Sequence, residues 1–144
     1  MKKLTYSLED YLEAIYILEL KNGFSRVKEI SEFLDVSLPS VNKAICELKR
    51  KRFLNHKRYG YIKLTGRGKE LAKDVFKLHS KFSELFKIFG MNDKKADKYA
   101  CHIEHIIDRD DIRFIDSLVD YYKSNEKEIK NIHDFIRRRS NGRD

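Results

Sequence analysis

Residues 26–65, "RVKEISEFLDVSLPSVNKAICELKRKRFLNHKRYGYIKLT", decide the fold. Val27, Ile30 and Leu34 fall on one face of a short helix, and Val41, Ala44, Ile45 and Leu48 on one face of a second. Apolar residues at three- and four-residue spacing mark a half-buried helix. "DVSLPS" breaks the periodicity between the two, and Pro39 suits the first turn of the helix that follows, where its missing N–H costs nothing. "FLNH" and "YIKL" then carry strand character on either side of "KRYG", with Gly60 at the turn, which is a hairpin pattern. A further helix precedes them, from about Ser7 to Leu20, with Ser7 as its cap, Leu8, Leu12, Ile15 and Glu19 on one face, and Gly23 available to close it left-handed. Helix, helix, tight turn, helix, hairpin is the order of a winged helix-turn-helix.

Beyond "TGRG" the pattern is helical throughout. Leu71, Val75, Leu78, Phe82, Leu85 and Phe89 alternate at four and three residues, a heptad seam that Gly90 stops. Two more helices are expected near Lys94–Ile107 and Arg109–Lys123, and the tail "EKEIKNIHDFIRRRSNGRD" has room for another. The expected architecture is mainly α: a winged helix-turn-helix DNA-binding domain in residues 1–72, then an all-helical domain in residues 73–144. The boundary falls inside the long helix.

Composition narrows the function. One proline and six glycines in 144 residues argue against an all-β chain. No apolar run is long enough to span a bilayer. Glu9, Asp10 and Glu13 stand where a signal peptide needs its apolar core. Two cysteines are too few for a disulfide framework and suit a reducing cytoplasm. From Ser37 to Ala72 there are ten Lys/Arg against two Glu, a net +8 that equals the net charge of the whole chain. A basic excess confined to one quarter of the sequence, and falling on the helix-turn-helix, points to a polyanion partner.

On the third helix, Pro39, Asn42, Lys43, Cys46 and Arg50 lie away from the core stripe. Asn42 and Lys43 suit base edges, since Asn pairs bidentately with adenine and Lys reaches guanine acceptors. Ser37 and Ser40 at the helix start can hold phosphate with the free N–H groups there. Arg50 joins this exposed face, and Lys57 and Arg58 at the hairpin tip suit phosphate or minor-groove contacts. Ser37 also has a plain role as a cap, and Cys46 is read as a bystander.

A second constellation is "CHIEH", residues 101–105. On a helix Cys101, Glu104 and His105 share a face, while Ile103, Ile106 and Ile107 point away. Thiolate, carboxylate and imidazole are the side chains that bind divalent transition metals. Three ligands rarely satisfy a six-coordinate ion, and two further positions are unusual: His79, beside the apolar seam of the long helix, and Asp10 with Glu13, on the face of the first helix opposite Leu8, Leu12 and Ile15. Singly, each has an ordinary reading as a polar face, a cap or a half-buried ring. His56, His102 and His133 have no comparable context.

In these segments the chain resembles the diphtheria toxin repressor family, and within it the short, manganese-responsive branch. "EDYLEAIYILE" is similar to that family's first helix, "RVKEISEFLDVSLPSVNKAICELKRKRFL" to its helix-turn-helix, "LTGRGKELA" to its wing exit, and "HSKFSELFKIFG" and "ACHIEHIID" to its metal-binding segments. The resemblance implies a dimeric repressor of metal-uptake genes that binds operator DNA when loaded with Mn²⁺ or Fe²⁺. It also implies metal ligands at Asp10, Glu13, His79, Cys101, Glu104 and His105, a metal-binding and dimerisation role for the second domain, and no enzymatic activity or small-molecule substrate. The manganese branch typically carries an acidic residue in place of Cys101, and iron-sensing relatives a methionine in place of Asp10. Longer relatives add an SH3-like domain, and this sequence ends before one fits. Two other readings compete. One is a winged-helix regulator that senses an organic ligand. The other is a metallopeptidase, because C-x-x-E-H is one substitution from H-x-x-E-H.

Overall fold

The computed structural model describes residues 4–56 and 60–141. The chain divides into two compact units between Phe76 and Lys77, inside the long helix, where the sequence reading set the boundary at Ala72. The fold is mainly α, a winged helix-turn-helix followed by an all-helical unit.

The first unit contains α1 (Tyr6–Asn22), α2 (Val27–Leu34), α3 (Leu38–Arg50), β1 (Leu54–His56), β2 (Ile62–Leu64) and the start of α4 (Gly66–Ile88). α1 begins one step earlier than expected. Thr5, not Ser7, occupies the cap position, and its carbonyl accepts the N–H groups of Leu8 and Glu9 at 2.9 and 3.1 Å. Gly23 ends the helix at φ 78°, its N–H donating to Glu19 O at 2.8 Å. α2 stops at Asp35, which takes the left-handed conformation at φ 52°.

Leu12, Ile15, Ile30, Val41, Leu48 and Ile62 form the centre of the first core and are wholly buried. Each contributes about 1.5–3 kcal/mol through its removal from water. The hairpin pairs Leu54 with Leu64, Asn55 with Lys63 and His56 with Ile62. Glu19, the acid that interrupted the apolar face of α1, accepts the N–H of Leu64 at 3.0 Å and ties the hairpin to that helix. Where the hairpin leads into α4, a Cβ at Gly68 would lie 2.1 Å from the Phe53 carbonyl oxygen. That oxygen already accepts the Thr65 N–H at 3.0 Å and the Thr65 hydroxyl at 3.2 Å.

The second unit contains the rest of α4, α5 (Asp93–Ile103), a 3₁₀ turn at Arg109–Asp111, α6 (Ile112–Lys123) and α7 (Glu126–Asn141). α5 is shorter than the expected Lys94–Ile107, and the expected Arg109 start of the next helix is the 3₁₀ turn. The tail does hold a helix, α7. The heptad seam is consumed within the chain: Leu78 and Phe82 pack with Ala100, Ile103, Ile107 and Ile112. Leu85 joins Ile88, Val119, Tyr122 and Ile129 in a second cluster. Asp116 on α6 pairs with Lys77 and Lys81 on α4, each at 3.0 Å.

Gly68→Ala should destabilise the protein by roughly 1–3 kcal/mol, the usual penalty of overpacking against an immovable atom, which denaturant unfolding will read directly. Burial alone would raise the Asp116 carboxyl, but its contacts with Lys77 and Lys81 outweigh this and hold it below the ordinary value. The stabilisation is therefore complete above the unfolded carboxylate pKa of about 3.9 and is lost as pH falls through the lower folded value. Asp116→Asn should lower the melting temperature at pH 7 and converge on the parent in strong acid; a gap that persists there would mean that charge is not the cause.

Candidate metal centre and nucleic-acid interface

In the first unit, Ser37 caps α3 by accepting the Ser40 N–H at 3.4 Å, and the two hydroxyls lie 2.9 Å apart. Pro39 sits in the first turn, as its fixed φ allows. Asn42, Lys43, Cys46 and Arg50 are exposed while Val41, Ala44, Ile45 and Leu48 are buried, so α3 turns its polar stripe outward as the periodicity required. Ser40 and Lys43 also border a shallow pocket shared with Thr5 and Ser7, two residues the sequence reading gave no place near the reading helix. Lys57 and Arg58 lie outside the described residues. On α1, Glu13 is buried and Asp10 half-buried; three residues apart, they share a face of that helix.

In the second unit the metal-type side chains do converge, although not on one continuous helix. α5 ends at Ile103, and Glu104 follows as its cap at φ −58°, ψ −26°, with its N–H still donating to Ala100 O at 3.0 Å. Ile106 and Ile107 then both turn back onto Ile103 O. Because Glu104 keeps helical angles, Cys101, Glu104 and His105 still each offer a ligand atom within 4.8 Å of one another. Ile103 and Ile107 pack into the core beneath, whereas Ile106, expected beside them, is 70% exposed as the turn carries it outward.

The Glu104 side chain is wholly buried. One of its oxygens meets His79 Nδ1 of α4 at 2.7 Å, and the other lies 3.5 Å from His105 Nε2. Cys101 is half-buried beside them. The donor set suits a divalent transition ion: two imidazoles, a thiol and a carboxylate that, as an anion, has been taken out of water. Beside His79 runs an open pocket lined by Ser80, Ser83, Glu84, Lys87 and Asp97. The Ser83 hydroxyl donates to Asp97 and, with Lys87 at 3.5 Å, holds that carboxyl below its ordinary range against the effect of burial. No local pattern in the sequence marked this group, which depends on α4 and α5 being neighbours.

Two sequence families match the chain: "Iron dependent repressor, N-terminal DNA binding domain" over residues 3–62 and "Iron dependent repressor, metal binding and dimerisation domain" over residues 65–132. The HTH-type transcriptional regulator MntR of Shouchella clausii (strain KSM-K16) is 35% identical over 134 residues, 93% of this chain and 94% of its own. The protein of the same name from Oceanobacillus iheyensis is 33% identical, covering 92% and 90%. Among solved structures, IdeR of T. acidophilum superposes with a TM-score of 0.65 at 27% identity, over 80% of this chain and 54% of that one. The manganese regulator SloR reaches 0.71 at 24% identity, over 82% and 55%, a likeness of fold. The chain thus spans about half the length of these two structures.

Proposed function

The chain belongs to the iron-dependent repressor family, and on that premise we propose how its residues divide the work of a metal-dependent transcriptional repressor. It is a DNA-binding regulator and not an enzyme, a homodimer that takes a divalent metal as its co-repressor. No helix among the described residues is long and apolar enough to cross a membrane; in our reading the protein works in the cytoplasm and controls metal-uptake genes.

In this reading Asp10, Glu13, His79, Cys101, Glu104 and His105 are the metal ligands, and the ion is Mn²⁺ or Fe²⁺. The observation that carries it is Glu104, a fully buried carboxylate flanked by His79, His105 and Cys101. A divalent ion supplies the positive charge such a donor set calls for and requires its ligands deprotonated. The chain's own part is to hold the donors ready. α4 fixes the His79 ring against one Glu104 oxygen, and the turn after α5 presents His105 to the other. Cys101 brings a soft thiolate favouring Fe²⁺, whereas Asp10 and Glu13 bring hard oxygens favouring Mn²⁺.

On α3, Asn42 and Lys43 read base edges, with Pro39 beside them. Ser37, Ser40 and Arg50 hold phosphates, as do Lys57 and Arg58. In a two-fold dimer the two reading helices address half-sites about 34 Å apart or a multiple of that. Metal binding favours the DNA-competent state of the protein, and DNA affinity follows by linkage.

Operator affinity should rise about 5- to 150-fold when Mn²⁺ or Fe²⁺ is added and fall back with a chelator, the range typical of such coupling. Glu104→Gln, equal in size but uncharged, should erase that response and leave metal-free DNA binding unchanged. An anaerobic gel-shift titration in which the unaltered protein binds equally with and without metal would end the co-repressor reading. Exchanging the thiol for an oxygen donor in Cys101→Glu should move the preference from Fe²⁺ towards Mn²⁺, read as the ratio of activating concentrations of the two ions; an unmoved ratio would take Cys101 out of the ligand set.

A further inference from the structure

We infer that Arg26 is a phosphate-binding residue of the protein–DNA complex, held in its binding posture by the rings of Phe24 and Tyr61; the inference rests on the DNA-binding reading above. Ser25 is wholly buried and forms an antiparallel bridge with Ile62. Its N–H donates to Ile62 O at 3.2 Å, and the Ile62 N–H donates to Ser25 O at 2.9 Å. Side chains alternate along extended backbone, so with Ser25 and Ile62 turned inward, Phe24, Arg26 and Tyr61 meet on the outer face at the base of the hairpin.

There the two rings stand edge to face, centroids 4.5 Å apart. The guanidinium carbon of Arg26 lies 5.3 Å from the Phe24 centroid and 5.0 Å from that of Tyr61. One nitrogen, Nη2, donates to the Tyr61 hydroxyl at 3.1 Å. Stacking occupies the flat face of a guanidinium and leaves its edge, with five N–H donors in a planar fork, for other partners. The guanidinium makes a single edge contact here, to a neutral group, and among the described residues no carboxylate pairs with it; the Glu29 carboxylate accepts the Arg26 backbone N–H instead, at 2.8 Å. The residue is exposed.

A cation that folding has aligned but not neutralised is suited to an anion from outside. It lies on the unit that carries α3, at the foot of the β1–β2 hairpin. Duplex DNA presents that unit with phosphodiester oxygens, which guanidinium groups grip in pairs. Stacking also removes much of the rotamer freedom that a loose arginine loses on binding. A residue that only fastens the hairpin would need the rings and the bridge, but not an uncompensated charge.

The test is the affinity of the metal-loaded protein for a random-sequence duplex across a series of salt concentrations. Each neutralised phosphate contributes about 0.9 to the slope of log K against log salt. Arg26→Gln should therefore flatten the slope of the homodimer by about 1.8, one contact per protomer, while Arg26→Lys keeps it near the parent value. Weaker binding of Arg26→Gln at an unchanged slope would show that Arg26 only braces the hairpin and would overturn the proposal, as would unchanged affinity and slope together. Failure of the parent protein itself to bind duplex DNA would instead remove the reading on which the proposal rests.

Discussion

The second unit is organised around one carboxylate. Carrying an ionised glutamate out of water costs several kcal/mol unless charge and hydrogen bonds replace the solvent. Glu104 is wholly buried, with His79 and His105 against its two oxygens. That requirement explains features of the fold with no other evident cause. α5 ends one residue before Glu104, the chain turns back onto Ile103, and His105 is delivered to the opposite side of the carboxylate from His79. Ile103 and Ile107, four residues apart, pack with Leu78 and Phe82 beneath the segment that carries Glu104 and His105. The apolar floor and the polar cluster therefore fix each other.

The first unit solves a different problem, the presentation of a helix. A reading helix must be exposed on one side and immobile on the other. α3 achieves this with four buried aliphatic residues and an exposed polar stripe. Among the described residues the hairpin beside it has three paired positions, too few to be stable alone. It is supported by the Leu64–Glu19 hydrogen bond, the Ser25–Ile62 bridge and the close approach of Gly68 to Phe53. Its small size is acceptable because its neighbours hold it.

Much of this was legible in the sequence where the determinants are local. The periodicities of α2 and α3, Pro39 in a first turn and Gly23 at a left-handed cap each act within a few residues, and the winged order follows from them. Long-range determinants were not legible. Glu19 looked like a flaw in an apolar face because its partner, Leu64, is 45 residues away. The end of α5 carries no glycine or proline to announce it. Thr5 holds the cap position that Ser7 was expected to take, through its carbonyl and without a side-chain cap bond. The heptad seam was visible as a stripe, but a stripe does not name its partner, and here the partners are α5, α6 and α7 of the same chain. The six metal-type residues stood out by chemistry, four of them in the second unit, where His79, Glu104, His105 and Cys101 are neighbours.

The distribution of charge bears on how such a regulator responds. The excess of +8 lies between Ser37 and Ala72, and the rest of the chain is balanced. Ionic strength therefore acts mainly on the phosphate contacts of the reading unit, whereas metal activity acts on the ligand set. Two separate handles can set one affinity because linkage is reciprocal: whatever factor the metal adds to DNA binding, DNA must add to metal binding. Operator-bound protein then holds its ion more tightly than free protein, so the complex stays loaded at a metal level that leaves unbound protein largely empty.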